Sequence, residues 1–131
     1  MAHTLQTPDS APTPTFVIVG LGGLGAPLCA VLAHATRGRL VLVDDDVVEL
    51  SNLQRQILYR TADVGRPKGD AARDALVRRG VDPARIEVVH ARFDPTTAAE
   101  LVSRADVVCE GSDDVATKFL VNDVACAAGV P

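Results

Sequence analysis

The stretch that decides the fold is FVIVGLGGLG, residues 16–25. It opens with four consecutive apolar residues, a pattern that is typical of a strand buried on both faces of a sheet. Glycines follow at once with the spacing GxGxxG, at Gly20, Gly22 and Gly25. A buried strand that leads through such a turn into a helix predicts the first half of a βαβ unit.

The helix after this turn is predicted to run from about Leu24 to Thr36. Its apolar residues recur at helical spacing, so we expect Leu24, Leu28, Val31 and Leu32 to form one stripe that faces the sheet. The strand, the turn, this helix and the next apolar run together have the size of a βαβ unit.

The same alternation of strands and helices continues along the chain. Apolar patterns predict strands at 40–43, 86–89 and 106–109, and helices at 67–79, 96–103 and 115–128. The last helix is expected to place Phe119, Leu120, Val124 and Ala128 on one side. The predicted fold is α/β: a Rossmann-like, doubly wound, mostly parallel sheet with strand order 3-2-1-4, truncated after the fourth strand and its helix.

The chain of 131 residues provides material for one domain. We expect residues 1–15, rich in Pro and Thr, to form a flexible tail ahead of a domain at 16–131. A net charge of −4 without a basic stripe argues against nucleic-acid binding. Neither a signal peptide nor a membrane span is recognisable, which predicts a cytoplasmic protein. Cys29, Cys109 and Cys126 lack CxxC spacing and are expected to be small buried residues.

Candidate functional residues concentrate in VDDDVVELSNLQRQ, residues 43–56. Asp44 ends the second strand about 20 residues beyond the glycines, where an acidic side chain hydrogen-bonds the ribose of a nucleotide. Two plainer interpretations stay open. The glycines could only allow close packing of helix and strand, and Asp44 could belong to a polar turn. The strand–turn–helix context favours nucleotide binding.

NAD and ATP fit the glycine turn and Asp44 equally well. Asn52 and Arg55 favour a triphosphate, because a guanidinium group grips non-bridging oxygens bidentately and an amide donates a hydrogen bond. Lys68 lies in the first turn of its helix, where a cation is disfavoured by about 0.3–1 kcal/mol. A bound anion would remove that penalty, so this position indicates phosphate binding.

The segment Ser112, Asp113 and Asp114 follows the fourth strand. In the predicted strand order this strand lies beside the first, and ligands bind at such a switch point. A helix N-cap and a Mg²⁺ ligand are both consistent with Asp113, which could serve as both.

The chain resembles the ThiF/MoeB/HesA family of E1-like adenylyltransferases through four motifs. In chain order these motifs are GLGGLG, DDDVVELSNLQRQ, GRPK and GSDD. The resemblance covers residues 16–131 and implies ATP and Mg²⁺ as cofactors. It also implies that the C-terminal glycine carboxylate of a ubiquitin-like or sulfur-carrier protein attacks the α-phosphate. The candidate cofactor-binding residues are Gly20, Gly22, Gly23, Gly25, Asp44, Ser51, Asn52, Leu53, Gln54, Arg55, Lys68, Asp113 and Asp114. Of these, Arg55, Lys68 and Asp113 would be catalytic, with Asp113 holding Mg²⁺.

The chain departs from the family pattern in three places. No Lys or Arg precedes Arg37, although the family usually carries an arginine in a helix ahead of the first strand. Asp114 stands where the family has Asn, and the later half with its zinc cysteines is not present. We therefore expect a homodimer or a partner chain that completes the protein. A catalytically silent ThiF-like interaction module and an NAD-binding oxidoreductase domain are the alternatives.

Overall fold

The computed structural model describes residues 13–131. The sheet contains the strands Thr15–Val19 (β1), Arg39–Val43 (β2), Ile86–Val89 (β3) and Val107–Glu110 (β4). All neighbouring pairs are parallel, in the order β3-β2-β1-β4. This confirms the predicted α/β class and strand order. Residues 1–12 of the predicted tail lie outside the described residues.

Four helices cover the two faces of the sheet: Gly25–Ala35 (α1), Lys68–Arg78 (α2), Ala98–Ser103 (α3) and Val115–Ala128 (α4). Successive strand residues point to opposite faces. Ile18 therefore packs in one core with α1 and α2, whereas Val17 and Val19 pack in the other with α3 and α4. The register pairs Val19 with both Val43 and Glu110. Hence the carboxyl ends of β1, β2 and β4 meet at one edge.

The buried face of α1 is not the predicted stripe. Leu24 and Val31 are 70% and 62% exposed, and Leu28 and Leu32 are only partly buried. The helix instead buries its small residues against the sheet: Gly25, Ala26, Cys29 and Ala33. The reason is the close approach of α1 to β1, which leaves no room for large side chains.

The inward face of α4 is also shifted from the prediction. Val121 and Ala125 are buried, Leu120 and Val124 are partly buried, and Phe119 is 66% exposed. Ala128 is exposed as well. The shift arises because α4 packs against α3 as well as against β4, so the direction of its buried side is set by two neighbours.

Cysteine burial follows the prediction only in part. Cys29 is buried, whereas Cys109 is intermediate and Cys126 is exposed. Burial raises the pKa of the Cys29 thiol to about 12, with a contribution from Cys109. Cys126 is exposed because the buried face of α4 is formed by Val121 and Ala125, and Cys126 is not on that face.

Several element boundaries differ from the sequence prediction. β1 begins one residue early, since Thr15 already pairs in register with Arg39 of β2. α3 begins at Ala98 because Asp94 accepts the N–H groups of Thr96 and Thr97 ahead of it. Short 3-10 turns, which the sequence did not indicate, occur at Leu50–Asn52, Thr61–Asp63 and Pro83–Arg85. Among residues 13–131, no helix has the length and apolar composition needed to cross a membrane.

Candidate functional site

A cleft of about 900 Å³ lies at the carboxyl ends of the strands, between the turns that follow β1, β2 and β4. This is the topological switch point of the sheet, because β2 and β4 lie on opposite sides of β1. Most of the predicted site residues line it: Gly20, Gly22, Gly23, Asp44, Asn52, Arg55, Lys68, Asp113 and Asp114. Segments far apart in the sequence therefore meet in one place.

The glycines of the first turn have two different roles. Gly20 has φ +88°, and a Cβ atom there would lie 2.7 Å from the backbone nitrogen of Ser112. A Cβ atom at Gly25 would lie 1.7 Å from the carbonyl oxygen of Gly20. These two glycines are thus required for packing. Gly23 has nothing within 4 Å of its Cβ position, so its backbone is open to a ligand in the cleft.

The Asp44 carboxylate holds the glycine turn in place. Its Oδ2 atom accepts the N–H of Leu21 at 2.8 Å, and its Oδ1 atom accepts the N–H of Asp46 at 2.7 Å. Tyr59, which the sequence did not single out, donates its hydroxyl to the carbonyl of Leu21 at 2.6 Å. Burial raises the pKa of Tyr59, so its hydroxyl stays a donor. Both peptide groups of Leu21 are therefore fixed by side chains.

Only some residues of the polar cluster after β2, residues 51–56, line the cleft. Asn52 is buried and accepts the N–H of Glu49 at 2.9 Å, while Arg55 is exposed along the cleft wall. Within residues 13–131, the Arg55 side chain makes no ion pair or hydrogen bond. Gln56 also lines the cleft; its side chain is buried and its Oε1 atom has no hydrogen-bond partner.

Four predicted site residues do not line the cleft: Gly25, Ser51, Leu53 and Gln54. Gly25 is covered by the Gly20 carbonyl, and Leu53 packs against the core between α1 and α2. Ser51 and Gln54 are exposed on the outside of the 3-10 turn. The cleft walls do not include these four residues, and their contact with a cofactor stays a prediction.

Lys68 is the first residue of α2 and is only 7% exposed. Its backbone N–H donates to the carbonyl of Asp46 at 2.9 Å, which fixes the start of the helix beside β2. In the described part of the chain, its side chain forms neither a salt bridge nor a hydrogen bond. Burial, together with the Asp44 carboxylate, raises the pKa of the neighbouring Asp46, and Lys68 opposes this rise.

The turn after β4 separates the two roles that the sequence left open. The N-cap residue of α4 is Asp114, whose carboxylate accepts the hydroxyl of Thr117 at 2.7 Å and lies 3.8 Å from Arg92. The hydrogen bond from Thr117 lowers the pKa of Asp114. Asp113 takes no part in this cap. Its exposed carboxylate lines the cleft.

The sequence profile of the ThiF family matches residues 12–131. The chain belongs to the ThiF family. It is 48% identical over 116 residues to the SAMP-activating enzyme E1 of Haloferax volcanii, covering 88% of this chain and 42% of that protein. It is 42% identical over 115 residues to the sulfur carrier protein ThiS adenylyltransferase of Escherichia coli, covering 88% of this chain and 45% of that protein.

Two solved structures with bound ATP share the fold. The tRNA N6-threonylcarbamoyladenosine dehydratase TcdA of E. coli, solved in complex with ATP, superposes with a TM-score of 0.82 at 27% identity, over 90% of this chain and 49% of that chain. E. coli MccB, solved with ATP, gives a TM-score of 0.78 at 27% identity, over 90% of this chain and 35% of that chain. The ThiF-family chain described here thus spans less than half the length of these relatives.

Two further charged residues of this ThiF-family cleft were missed by the sequence reasoning. Arg92 follows β3, and Lys118 lies in the first turns of α4, where its Nζ atom is 2.7 Å from a carboxylate oxygen of Glu110. Arg92 lies just beyond β3 as Asp113 lies just beyond β4, so its position offered the same signal as that of the predicted residues. Lys118 lies inside α4 and reaches the cleft only through the packing of that helix, so sequence spacing gave no signal for it.

Proposed function

We propose that this chain forms the nucleotide-binding part of an adenylyltransferase that uses ATP and Mg²⁺ to activate a protein substrate. The substrate group is the C-terminal glycine carboxylate of a ubiquitin-like or sulfur-carrier protein. Relatives named as sulfur-carrier adenylyltransferases, and related structures solved with ATP, support this assignment.

The observation that carries the proposal is the state of Lys68. A mostly buried lysine whose ammonium group is bonded to no carboxylate within residues 13–131 can give all of its hydrogen bonds to a ligand. Lys68 is 7% exposed and lines the cleft together with the exposed Arg55. A polyphosphate would accept charge-assisted hydrogen bonds from both side chains.

The other residues of the cleft fit a nucleotide with a magnesium ion. Gly23 leaves space for close approach of phosphate to the backbone at the start of α1. The exposed carboxylate of Asp113 is a hard oxygen donor of the kind that Mg²⁺ prefers, and water and phosphate oxygens usually complete its shell. Bound there, the ion would neutralise charge on the phosphates.

The proposed reaction needs no nucleophile from the protein. A carboxylate oxygen of the carrier attacks the α-phosphorus of ATP and forms the new O–P bond. The bond from the α-phosphorus to the bridging oxygen breaks, and pyrophosphate leaves with the electron pair. The chain then contributes by orienting the two substrates and by neutralising charge, which are the roles proposed for Arg55 and Lys68.

The test is thermal unfolding of the 131-residue chain with ATP and Mg²⁺, with NAD, and with Mg²⁺ alone. Ligand at 100 times its dissociation constant adds about 2.7 kcal/mol to the free energy of unfolding. We expect stabilisation only by ATP with Mg²⁺. Stabilisation by NAD alone would instead support an oxidoreductase domain. No stabilisation by any ligand, together with capture of a carrier protein, would support an interaction module.

A further inference from the structure

The turn between β4 and α4 contains a clamp, which we define as Glu110, Ser112 and Lys118. Glu110 accepts the backbone N–H of Ser112 at 2.7 Å and also its hydroxyl. The Nζ atom of Lys118 donates to Glu110 at 2.7 Å and to the carbonyl of Ser112 at 2.7 Å. Both peptide groups of Ser112 are therefore held by charged side chains, and the two side chains hold each other.

The clamp lies against the glycine turn after β1. The backbone nitrogen of Ser112 is 2.7 Å from the position of a Cβ atom on Gly20, and the Cα atom of Gly25 is 2.7 Å from that of a Cβ atom on Gly111. This contact leaves no space on that side, so Ser112 can move only away from β1. The clamp opposes this movement, because it bonds Ser112 to the end of β4 and to α4.

Asp113 comes next in the chain and has no such restraint of its own. Its carboxylate is exposed and lines the cleft, while Asp114 takes up the N-cap of α4. The direction of the Asp113 side chain therefore depends on the peptide between Ser112 and Asp113, whose carbonyl is the acceptor for Lys118.

We propose that Glu110 and Lys118 are positioning residues that hold Asp113 toward the divalent cation of the cleft. The inference rests on the proposed function, because it concerns the cation that accompanies ATP. Residues that orient a metal ligand typically contribute a factor of 10–100 in metal affinity. The clamp thus has a functional role beyond the stability of the turn.

For one variant, electrostatics alone predicts a change in Mg²⁺ affinity opposite to the change that the positioning role predicts. Lys118→Met removes a cation that lines the same cleft as the Mg²⁺ ligand, which by charge alone would tighten Mg²⁺ binding. The positioning role predicts weaker Mg²⁺ binding in the same variant, because the Ser112 carbonyl is released. The sign of the change therefore separates the two explanations.

The experiment compares wild type, Lys118→Met, Lys118→Arg and the control Arg39→Met in the 131-residue chain. Arg39 pairs with Glu87 at 3.1 Å outside the cleft, so its loss gives the same change in net charge. The first measurement is amide hydrogen exchange at Ser112, whose N–H is bonded to Glu110, without ligand. The second is calorimetric titration of ATP at varied Mg²⁺ concentration and in EDTA.

We expect faster exchange at the Ser112 amide in Lys118→Met, and about a 10-fold higher Mg²⁺ concentration for half-maximal ATP binding. Lys118→Arg should restore most of both values, and Arg39→Met should match wild type. Unchanged exchange, tighter Mg²⁺ binding, or a loss of ATP affinity in EDTA would each overturn the proposal. If wild type binds no ATP, the proposed function fails, while the exchange measurement still decides whether the clamp restrains Asp113.

Discussion

Asp63 and Lys68 are both charged and both buried, at 1% and 7% exposed, yet their surroundings differ. Asp63 accepts the N–H of Arg60 at 2.8 Å and pairs with Arg66 at 3.0 Å. Lys68 has no comparable partner among residues 13–131. A paired buried charge is consistent with a structural role, whereas an unpaired one in a cleft indicates a ligand.

The first residue-scale prediction concerns Lys68→Met. This change keeps the buried stem and removes an ammonium group that is bonded to no carboxylate within residues 13–131, so the free energy of unfolding should stay close to that of wild type. Loss of one charge-stabilising group should lower the rate of ATP–pyrophosphate exchange by about 10²–10³. Chemical denaturation and the exchange assay measure the two effects, with the carrier protein supplied.

Asp63→Asn is the matched comparison for that prediction. It removes the charge that holds Arg66, and hydrogen bonds to charged groups contribute about 2 kcal/mol, so the chain should lose about that much stability. Its affinity for ATP should stay near that of wild type. A Lys68→Met chain that is as destabilised as Asp63→Asn would assign Lys68 to the structure instead of the site.

At the scale of elements, the glycine turn predicts opposite results for two similar substitutions. Gly20→Ala forces a side chain into φ +88° and against Ser112, which should cost about 1–3 kcal/mol of stability. Gly23→Ala has open space at its Cβ position, so its melting temperature should match wild type. The added methyl group would enter the cleft and should weaken ATP binding.

Thermal unfolding and ATP titration of the two glycine variants check this contrast. Gly65→Ala provides a control for strain alone, since Gly65 has φ +87° but no neighbours within 4 Å. It should lose stability and, once folded, keep its affinity for ATP. Equal ATP binding by Gly23→Ala and wild type would mean that the nucleotide does not approach this part of the turn.

The sequence predicted elements better than it predicted their faces. Four strands and their order follow from short apolar runs that alternate with helices, and α4 has the bounds that its pattern indicated. The predicted stripe of α1 was wrong. Apolar periodicity favours Leu24 and Val31, whereas the close approach of α1 to the sheet allows only small residues such as Ala26 and Cys29 to be buried there. Local pattern carries no information on how closely two elements approach.

At the scale of the whole molecule, the cleft combines residues that the chain separates widely. Asp44, Lys68 and Asp113 could be predicted to converge because each lies just beyond a strand or at the start of a helix, and parallel strands end at one edge. Tyr59 and Lys118 could not be predicted in this way. Each lies away from a strand end and reaches the cleft walls through a tertiary contact.

Tyr59 provides the last prediction, because its hydroxyl bonds the loop after β2 to the carbonyl of Leu21, 38 residues earlier. Tyr59→Phe keeps the buried ring and leaves that carbonyl without its donor. The free energy of unfolding should fall by about 1–2 kcal/mol. Affinity for ATP should fall too, because only Asp44 would still hold the turn.

Ser103→Ala is the control, since it removes an exposed hydroxyl that donates to the carbonyl of Glu100 at 2.6 Å in the same helix. Both groups can bond to water instead, so its stability should change by less than about 0.5 kcal/mol. Urea denaturation and ATP titration compare the two variants. A Tyr59→Phe chain with reduced stability and full ATP affinity would show that the bond serves the fold alone, and that Asp44 suffices to shape the turn.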